Sequence, residues 1–270
     1  MAGGDSKGAA FITGGSSGIG CQLARQLAAA GHPVALFARR LTRLNTAVAE
    51  LKAELPEAVI VPIVLDVADR AACLAAVAQA HAQLGAPAYA IANAGIAEPG
   101  EFLDQSLDSH DAQMATNYMG ALYFSRAAAD LMAAAGGGRL VFVSSGAAFF
   151  GIYGYSAYAP SKFAMRGLAE VLRVELAPKN ISVTLAYPPD TDTPQLAAEQ
   201  LTKPAVTKKI TEGGGLWSAE NVAKLILKRA DKRRFVAAPG LQMAALSHLH
   251  SLIGAPLRVW QGMIVKKHGR

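Results

Sequence analysis

The sequence predicts a doubly wound α/β fold, in which a parallel sheet of about seven strands is flanked by helices. Three observations lead to this fold class. Short apolar runs alternate with longer alanine- and leucine-rich stretches along the chain. The runs are apolar at nearly every position, as in strands buried on both faces of a sheet. A glycine-rich segment, "TGGSSGIG", follows the first run directly.

The apolar runs predict the strands and the stretches between them predict the helices. Strands are expected at residues 9–13, 33–38, 59–67, 89–95, 139–145, 181–189 and 233–240. Helices are expected at about 18–30, 41–54, 70–84, 108–135, 159–177 and 218–230. Such alternation is typical of a Rossmann-type domain, whose ligands bind beyond the carboxyl ends of the strands.

The composition indicates a folded domain of 270 residues, since 52% are hydrophobic and 17% are charged. Disorder is therefore not expected. The net charge of +6 is divided among separate clusters, and no recognised nucleic-acid motif accompanies it. We expect no nucleic-acid partner, and anionic small molecules or an anionic membrane surface fit the charge better. The clusters are Arg39, Arg40 and Arg43; Lys203, Lys208 and Lys209; and Lys266, Lys267 and Arg270.

The cysteines and the apolar pattern indicate a cytoplasmic protein, with peripheral contact at a membrane surface left open. Cys21 and Cys73 are isolated and lack metal-ligand spacing, so we expect a reducing compartment and no metal site. The first fifteen residues show no signal-peptide pattern. The sequence contains no uninterrupted run of about twenty apolar residues, so we expect no membrane-spanning helix.

The glycine-rich segment at residues 13–20 predicts a phosphate-binding loop. It lies between the first strand and the first helix, where free N–H groups and the helix dipole favour a phosphate. Its glycines permit a tight turn and close backbone approach. The alternative is a simple turn. The expected cofactor contacts here are Gly14, Ser16, Ser17, Gly18, Ile19 and Gly20.

The end of the second strand, "LFARR", favours NADPH over NADH. Ala38 and Arg39 stand where NAD-preferring folds carry an acidic residue for the ribose. A guanidinium forms paired hydrogen bonds with a 2′-phosphate, so Arg39 is the first candidate and Arg40 the second. The alternative is a solvated arginine pair. Asp66, after the third strand, is expected to accept from the adenine amino group, or else to cap the following helix.

Five motifs in order resemble the short-chain dehydrogenase/reductase family over about residues 8–195: "TGGSSGIG", "NAG" at 93–95, Asn117, Ser145 and "YAPSK" at 158–162. The resemblance implies a nicotinamide cofactor and a catalytic tetrad. It also implies that Asn93 and Gly95 line the cofactor, and that the chain forms a homodimer or homotetramer through the helices at 108–135 and 159–177. The implied tetrad is Asn117, Ser145, Tyr158 and Lys162.

The tetrad suits the reduction of a ketone. Tyr158 can protonate the carbonyl oxygen while Ser145 donates a hydrogen bond to it. Lys162 follows at i+4 on the same helix face and is expected to lower the pKa of Tyr158. The resemblance implies that Asn117 bends its helix and holds a water that relays protons from Lys162 to solvent. It also implies that Lys162 binds the nicotinamide ribose. The alternative is a buried tyrosine beside a surface lysine.

The segments "GIYGYSAY" and "PPDTDTP", followed by Glu199 and Lys203, resemble the 3-ketodihydrosphingosine reductase branch over about residues 8–225. The resemblance implies NADPH-dependent reduction of 3-dehydrosphinganine to sphinganine in sphingolipid synthesis. A reductase of another lipophilic ketone, such as a 3-oxoacyl thioester, and a non-catalytic nucleotide sensor or scaffold remain alternatives. The segment 188–193 is expected to line the nicotinamide, or to be only a turn; the candidate contacts are Pro188, Thr191 and Thr193.

A long-chain amino ketone needs an apolar channel and a partner for its amine. Asp190 or Asp192 could meet the amine, although aspartates in turns commonly bond to the local backbone. Some of the side chains between Ser145 and Tyr158 are expected to border the channel, with the core as the alternative place for each. These side chains are Phe149, Phe150, Ile152 and Tyr153.

Residues 241–270 form a tail beyond the expected cofactor-binding domain of residues 1–240. The tail is apolar, lacks acidic residues, ends in basic ones and is interrupted by Pro256. Such a segment can lie on an anionic membrane surface. The alternatives are a lid over the site or an oligomer contact.

Overall fold

The structure, a computed structural model, describes residues 7–212 and 215–268. Its central feature is a parallel sheet of seven strands in the order β3-β2-β1-β4-β5-β6-β9, which confirms the predicted fold class. A short parallel pair, β7 and β8, lies apart from it. The strands are β1 (Ala9–Thr13), β2 (Val34–Ala38), β3 (Ile60–Val64), β4 (Pro87–Ala92), β5 (Gly138–Val143), β6 (Ile181–Ala186), β7 (Thr191–Asp192), β8 (Trp217–Ser218) and β9 (Val236–Ala237).

Helices cover both faces of the sheet. Side chains of α3, α5, α6 and α10 pack in the core on one face, and those of α1, α2 and α9 in the core on the other. The helices are α1 (Gly18–Ala29), α2 (Leu41–Glu54), α3 (Arg70–Leu84), α4 (Leu107–Met114), α5 (Gly120–Ala134), α6 (Tyr158–Glu175), α7 (Pro194–Thr202), α8 (Ala205–Thr211), α9 (Ala219–Asp231) and α10 (Gly240–His268).

The apolar strands are explained by burial on two sides. Phe11 of β1 packs on the α3 and α5 side, whereas the next residue, Ile12, packs on the α1 side, and both are fully buried. Phe37 of β2 lies between Phe11 and Phe124 in edge-to-face contacts of 6.0 and 5.7 Å between ring centroids. Because successive strand residues face opposite cores, no polar alternation remains in the sequence.

The single helix expected at residues 108–135 is wrong in one respect. A π-helical turn, Ala115–Met119, separates α4 from α5, and Asn117 lies inside it. The family resemblance implies a bend at Asn117, whereas the hydrophobic periodicity alone indicates one continuous helix; the π turn is the form that this bend takes. The turn places a polar side chain next to the carboxyl end of β4.

The interruption expected at Pro256 does not occur, because α10 continues through it to His268. Proline removes one backbone donor from the helix, and contacts with the rest of the protein support the helix on both sides of it. Met243 and Leu246 are buried in the core before it. After it, Gln261 accepts a hydrogen bond from the Tyr153 amide (2.7 Å) and donates one to the Gly151 carbonyl (2.9 Å).

No helix in the described ranges, α10 included, is both long and apolar enough to cross a membrane. The exposed side of α10 nevertheless carries several large apolar residues. These are Leu241, Leu249, Leu252, Val259, Trp260 and Met263.

Candidate active site

One cavity of about 320 Å³ lies beyond the carboxyl ends of the strands. Every residue expected in the tetrad or at the cofactor lines it except Gly20 and Asn117. The loops after β1, β2, β3, β4, β5 and β6 all contribute to its wall. This is where ligands bind in a doubly wound sheet, so the structure brings the predicted residues to one place.

The glycine loop forms one end of the cavity, where α1 begins. Gly18 has a φ of 53°, and a Cβ atom added to it would lie 2.9 Å from Cγ2 of Thr193. A Cβ atom added to Gly20 would lie 2.3 Å from the Gly14 carbonyl oxygen, so Gly20 packs against the loop. The Ser17 side chain makes no capping hydrogen bond at the start of α1. Its hydroxyl and the first helical N–H groups are therefore available to an anion.

Arg39 and Arg40 are exposed at the rim of the cavity. Neither forms an ion pair within the ranges that the structure covers. Asp66 lines the same region, and its Oδ1 accepts from the Ala68 amide (3.0 Å). The helix-cap alternative for Asp66 is wrong, because Asp69 caps α3.

Asn93 joins the ends of β1 and β4. Its side-chain nitrogen donates to the carbonyl oxygens of Thr13 (3.0 Å) and Gly14 (3.3 Å). The Thr13 hydroxyl oxygen in turn accepts from the backbone amides of Asn93 and Ala94, each at 3.0 Å. These bonds fix the glycine loop relative to the neighbouring loop that contains Gly95.

Tyr158 and Lys162 lie one turn apart at the beginning of α6. Both are buried, with 8% and 4% of their surface exposed, and both line the cavity. The alternative of a surface lysine is therefore wrong. The Ser145 hydroxyl oxygen accepts from the Ala147 amide (3.2 Å) and lies near Tyr158, whose pKa it lowers. The neighbouring Ser144 bonds instead to the backbone carbonyl of Lys162 (3.4 Å).

Burial dominates the proton affinities of this pair. It raises the pKa of Tyr158 well above its usual value; the Glu199 carboxylate adds to the rise and the Ser145 hydroxyl opposes it. Burial lowers the pKa of Lys162 to about 8, against an opposing effect of Glu199. The expected net lowering of the Tyr158 pKa is wrong, because burial outweighs the nearby charge of Lys162. Lys162 Nζ donates to the Val143 carbonyl (3.2 Å) and lies 5.5 Å from the centre of the Tyr158 ring.

Asn117 lies behind Lys162 and not on the cavity wall. Its Oδ1 accepts from the Ile96 amide (2.8 Å), and its Nδ2 donates to the Ile96 carbonyl and the Ser161 hydroxyl, each at 2.9 Å. A Cβ atom added to Gly95 would lie 3.2 Å from Asn117 Oδ1 and 3.5 Å from Lys162 Nζ. Asn117 thus connects α5 to the loop after β4 at the back of the tetrad.

The segment after β6 forms part of the cavity wall and approaches the glycine loop at Thr193. Pro188, Thr191 and Thr193 line the cavity, and the Thr193 side chain caps α7 by accepting from the Leu196 amide (3.2 Å). Of the two aspartates considered for the amine, Asp192 is exposed and lies off the wall. Asp190 lines the cavity but forms an ion pair with Lys203 (3.3 Å).

Two of the four side chains considered for the channel line the cavity, namely Phe150 and Ile152. Phe149 belongs to the core, where its ring lies 4.3 Å from that of Tyr187, and Tyr153 is not part of the wall. Further wall residues were not assigned from the sequence. They include Tyr155, Gln195, Leu196, Glu199, Ile210, Gln242, Met243 and Leu246.

Only some of these additional wall residues could have been found from the sequence. Tyr155 and Glu199 fall in the segments that carried the resemblance to a reductase branch, so a signal for them existed. Met243 and Leu246 belong to α10, and nothing local in the sequence indicates that the first turns of this helix reach the cavity.

Comparison with known proteins identifies relatives over most of the chain. The sequence profile of the family described as short chain dehydrogenase matches residues 8–204. A 3-dehydrosphinganine reductase of Danio rerio is 41% identical over 241 residues, which are 88% of this chain and 73% of the relative. A 3-ketodihydrosphingosine reductase of Bos taurus is 38% identical over 255 residues, which are 93% of this chain and 77% of the relative.

Solved structures share the fold. A short-chain dehydrogenase from Sphingobium yanoikuyae in complex with NADPH aligns with a TM-score of 0.78 at 27% identity, covering 94% of this chain and 95% of that one. Levodione reductase aligns with a TM-score of 0.79 at 25% identity, covering 88% of this chain and 98% of that one.

Proposed function

The chain belongs to the short-chain dehydrogenase family, and on this premise we propose that it reduces 3-dehydrosphinganine to sphinganine with NADPH, in sphingolipid synthesis. The observation that carries the proposal is the continuity of one cavity. It joins the glycine loop to Tyr158 and Ser145, and these to an apolar wall. The similarity to curated reductases of this ketone, over 88% and 93% of the chain, supports the choice of substrate.

The residues at the glycine end fit a phosphorylated dinucleotide. Gly18 and Gly20 pack too closely against Thr193 and the Gly14 carbonyl to carry a Cβ atom, and this packing holds the start of α1 beside the cavity, where its N–H groups can bind a pyrophosphate. Arg39 carries a free guanidinium at the rim for a 2′-phosphate, and Asp66 offers a carboxylate oxygen to the adenine amino group. When bound, the reduced nicotinamide supplies the hydride that the carbonyl carbon of the ketone receives.

Tyr158 supplies the proton that completes the alcohol. Its raised pKa keeps the phenol protonated at neutral pH, as a proton donor must be. Ser145 holds the carbonyl oxygen beside the phenol by a hydrogen bond. As the O–H bond of the product forms, the Tyr158 O–H bond breaks, and the nearby Lys162 ammonium stabilises the phenolate until solvent restores its proton.

The far part of the cavity suits a long alkyl chain. Phe150 and Ile152 from the loop before α6, Ile210 from α8, and Met243 and Leu246 from α10 supply apolar wall. An alkyl chain is favoured there by about 0.8 kcal/mol for each CH₂ group buried. The first turns of α10 act in this proposal as the fixed wall that separates the lipid tail from water.

We place a homodimer contact on α6, where apolar side chains face outward. Phe163, Val171 and Val174 recur at helical spacing on one side of α6 and are 41%, 53% and 72% exposed. The helix is thus apolar on two sides, and the outer side is left uncovered in the monomer. An isologous contact between two copies of α6 buries this stripe.

We also propose that α10 rests on an anionic membrane surface. Leu252, Val259 and Met263 are exposed and share one side of the helix, and Lys266 and Lys267 follow at its end. Apolar side chains beside basic ones are the pattern of helices that lie in the headgroup region. This position brings the cavity close to the lipid phase from which a long-chain ketone is drawn.

The proposed function is tested by the loss of NADPH absorbance with three ketones. 3-Ketodihydrosphingosine is compared with a 3-oxoacyl thioester and a steroid ketone, with NADH as the cofactor control and Tyr158→Phe as the catalytic control. Turnover of the sphingoid ketone that requires Tyr158 supports the proposal. Turnover of another ketone alone identifies a different reductase of the family. Tight NADPH binding without turnover of any of them favours a sensor or scaffold.

A further inference from the structure

Glu199 of α7 is a buried carboxylate on the cavity wall that the reaction described above does not use. Only 8% of its surface is exposed. Its Oε2 accepts from the Tyr155 hydroxyl (3.3 Å) and its Oε1 from the Gln195 amide (3.0 Å). The Tyr155 ring lies 5.3 Å from that of Tyr158. A negative charge is thus one aromatic ring away from the proton donor.

The cations near Glu199 are bound to other groups. Lys203, whose side chain is fully buried, pairs with Asp190 at 3.3 Å. Lys162 donates to the Val143 carbonyl. Among the ion pairs in the described ranges, none includes Glu199. Its partners within hydrogen-bond distance are neutral, so the buried carboxylate lacks a directly paired cation.

The proton affinity of Glu199 agrees with this arrangement. Burial raises the pKa of Glu199, and the Gln195 hydrogen bond and the charge of Lys203 offset the rise only in part. A cation placed in the cavity against this carboxylate would relieve the cost of its burial.

We propose that Glu199 binds the ammonium group of a 2-amino ketone and thereby selects such ketones. The inference rests on the proposed function. In that substrate the carbon that carries the amine is bonded to the carbonyl carbon. When Tyr158 and Ser145 hold the carbonyl oxygen, the ammonium group therefore also lies close to the phenol. Three carboxylates line the cavity in the described ranges: Asp66 lies toward the glycine loop, Asp190 is paired with Lys203, and Glu199 faces the Tyr158 end.

This assignment replaces the expectation that Asp190 or Asp192 meets the amine. It also links recognition to the proton transfer. The Glu199 carboxylate contributes to the raised pKa of Tyr158, so it makes the phenol a weaker acid. An ammonium paired with Glu199 cancels that contribution, and the proton donor becomes stronger when the amino ketone is bound.

The test compares two substrates in wild type and in Glu199→Gln, which keeps the shape of the side chain. The substrates are 3-ketodihydrosphingosine and its deamino counterpart of equal chain length. We expect the wild type to prefer the amino ketone in kcat/KM. In Glu199→Gln we expect that preference to fall by at least about 30-fold, as for a buried charge pair that loses one partner. Asp192→Asn, an exposed change in the neighbouring segment, keeps the wild-type preference. Thermal unfolding and NADPH binding verify that each variant is folded.

Three results would overturn the inference, and they separate it from the proposed function. An unchanged preference in Glu199→Gln refutes the role of Glu199 while the proposed function stands. Loss of the preference in Asp190→Asn and its retention in Glu199→Gln assign the ammonium to Asp190. A wild type that reduces the deamino ketone at least as well as the amino ketone shows that the protein does not select the ammonium group. If the wild type does not reduce the amino ketone at all, the proposed function is refuted together with the inference.

Discussion

The Arg39 side chain provides the sharpest test of the cofactor preference. Its guanidinium is exposed at the cavity rim and forms no ion pair in the described part of the chain. Removal of this side chain in Arg39→Ala therefore leaves no buried partner unsatisfied. The change should weaken only the binding of a cofactor that carries a 2′-phosphate.

The magnitude follows from the exposure of the side chain. A hydrogen bond to a charged group contributes about 1.5–3 kcal/mol, and solvent screening at an exposed site favours the lower part of that range. Since about 1.4 kcal/mol is a factor of ten, we expect the dissociation constant for NADPH to rise roughly 10- to 30-fold in Arg39→Ala. The constant for NADH should change by less than about twofold, because it lacks the phosphate that the guanidinium binds.

The assay is a fluorescence titration of both cofactors, with Arg40→Ala and Arg43→Ala alongside. Arg43 is exposed on α2 and does not line the cavity. The Arg43→Ala variant therefore loses the same charge as Arg39→Ala without losing a side chain at the cofactor site. The preference of the wild type should also decline as salt is added, because the ion pair is exposed. Equal weakening of NADPH and NADH by Arg39→Ala would refute the argument, and so would an equal effect of Arg43→Ala.

Two further predictions concern Lys162 and Gly18. Burial lowers the pKa of Lys162 to about 8. With an uncharged ketone and saturating NADPH, we therefore expect kcat/KM to be level below about pH 8 and to decline above it, as the ammonium loses its proton. A kcat/KM that stays level to about two pH units above this pKa would contradict the role of the ammonium. Gly18→Ala places a Cβ atom 2.9 Å from Thr193 at a φ of 53° and should lower the free energy of unfolding by more than the roughly 1–2 kcal/mol that the left-handed backbone alone costs. Gly31→Ala, at a φ of 85° with nothing within 4 Å, is the matched control in denaturant unfolding, and equal losses would show that the contact with Thr193 has no effect.

The sheet and its helices could be predicted because each strand is buried on both faces. Phe11 and Ile12 are buried in the cores on opposite faces of the sheet, so the strand is a continuous apolar run. Because the strands are parallel, a helix must connect each strand of the sheet to the next one. The predicted helix at 41–54 has the bounds of α2, Leu41–Glu54. The bend at Asn117 followed from the family resemblance and not from the periodicity. The passage of α10 through Pro256 was not predicted, since it depends on contacts distant in sequence.

The site divides in the same way. Residues that directly follow a strand, such as Arg39 and Ser145, could be placed at the cavity because all the strands end on one side of a parallel sheet. Met243 reaches the cavity only through the docking of α10 on the core. The direction of the Tyr158 pKa shift was not predicted. The spacing of Tyr158 and Lys162 shows that they are close, but it does not show the burial, whose effect on the pKa is larger than that of the lysine charge.

The position of α10 in the chain gives the protein an order of assembly. Gln242, Met243 and Leu246 complete the ketone side of the cavity, and they follow every strand of the sheet in sequence. A chain growing on the ribosome can thus form the glycine loop and present Tyr158 before the wall for the lipid tail exists. Detachment of α10 alone would remove Gln242, Met243 and Leu246 from the cavity wall and leave the glycine loop and Tyr158 in place.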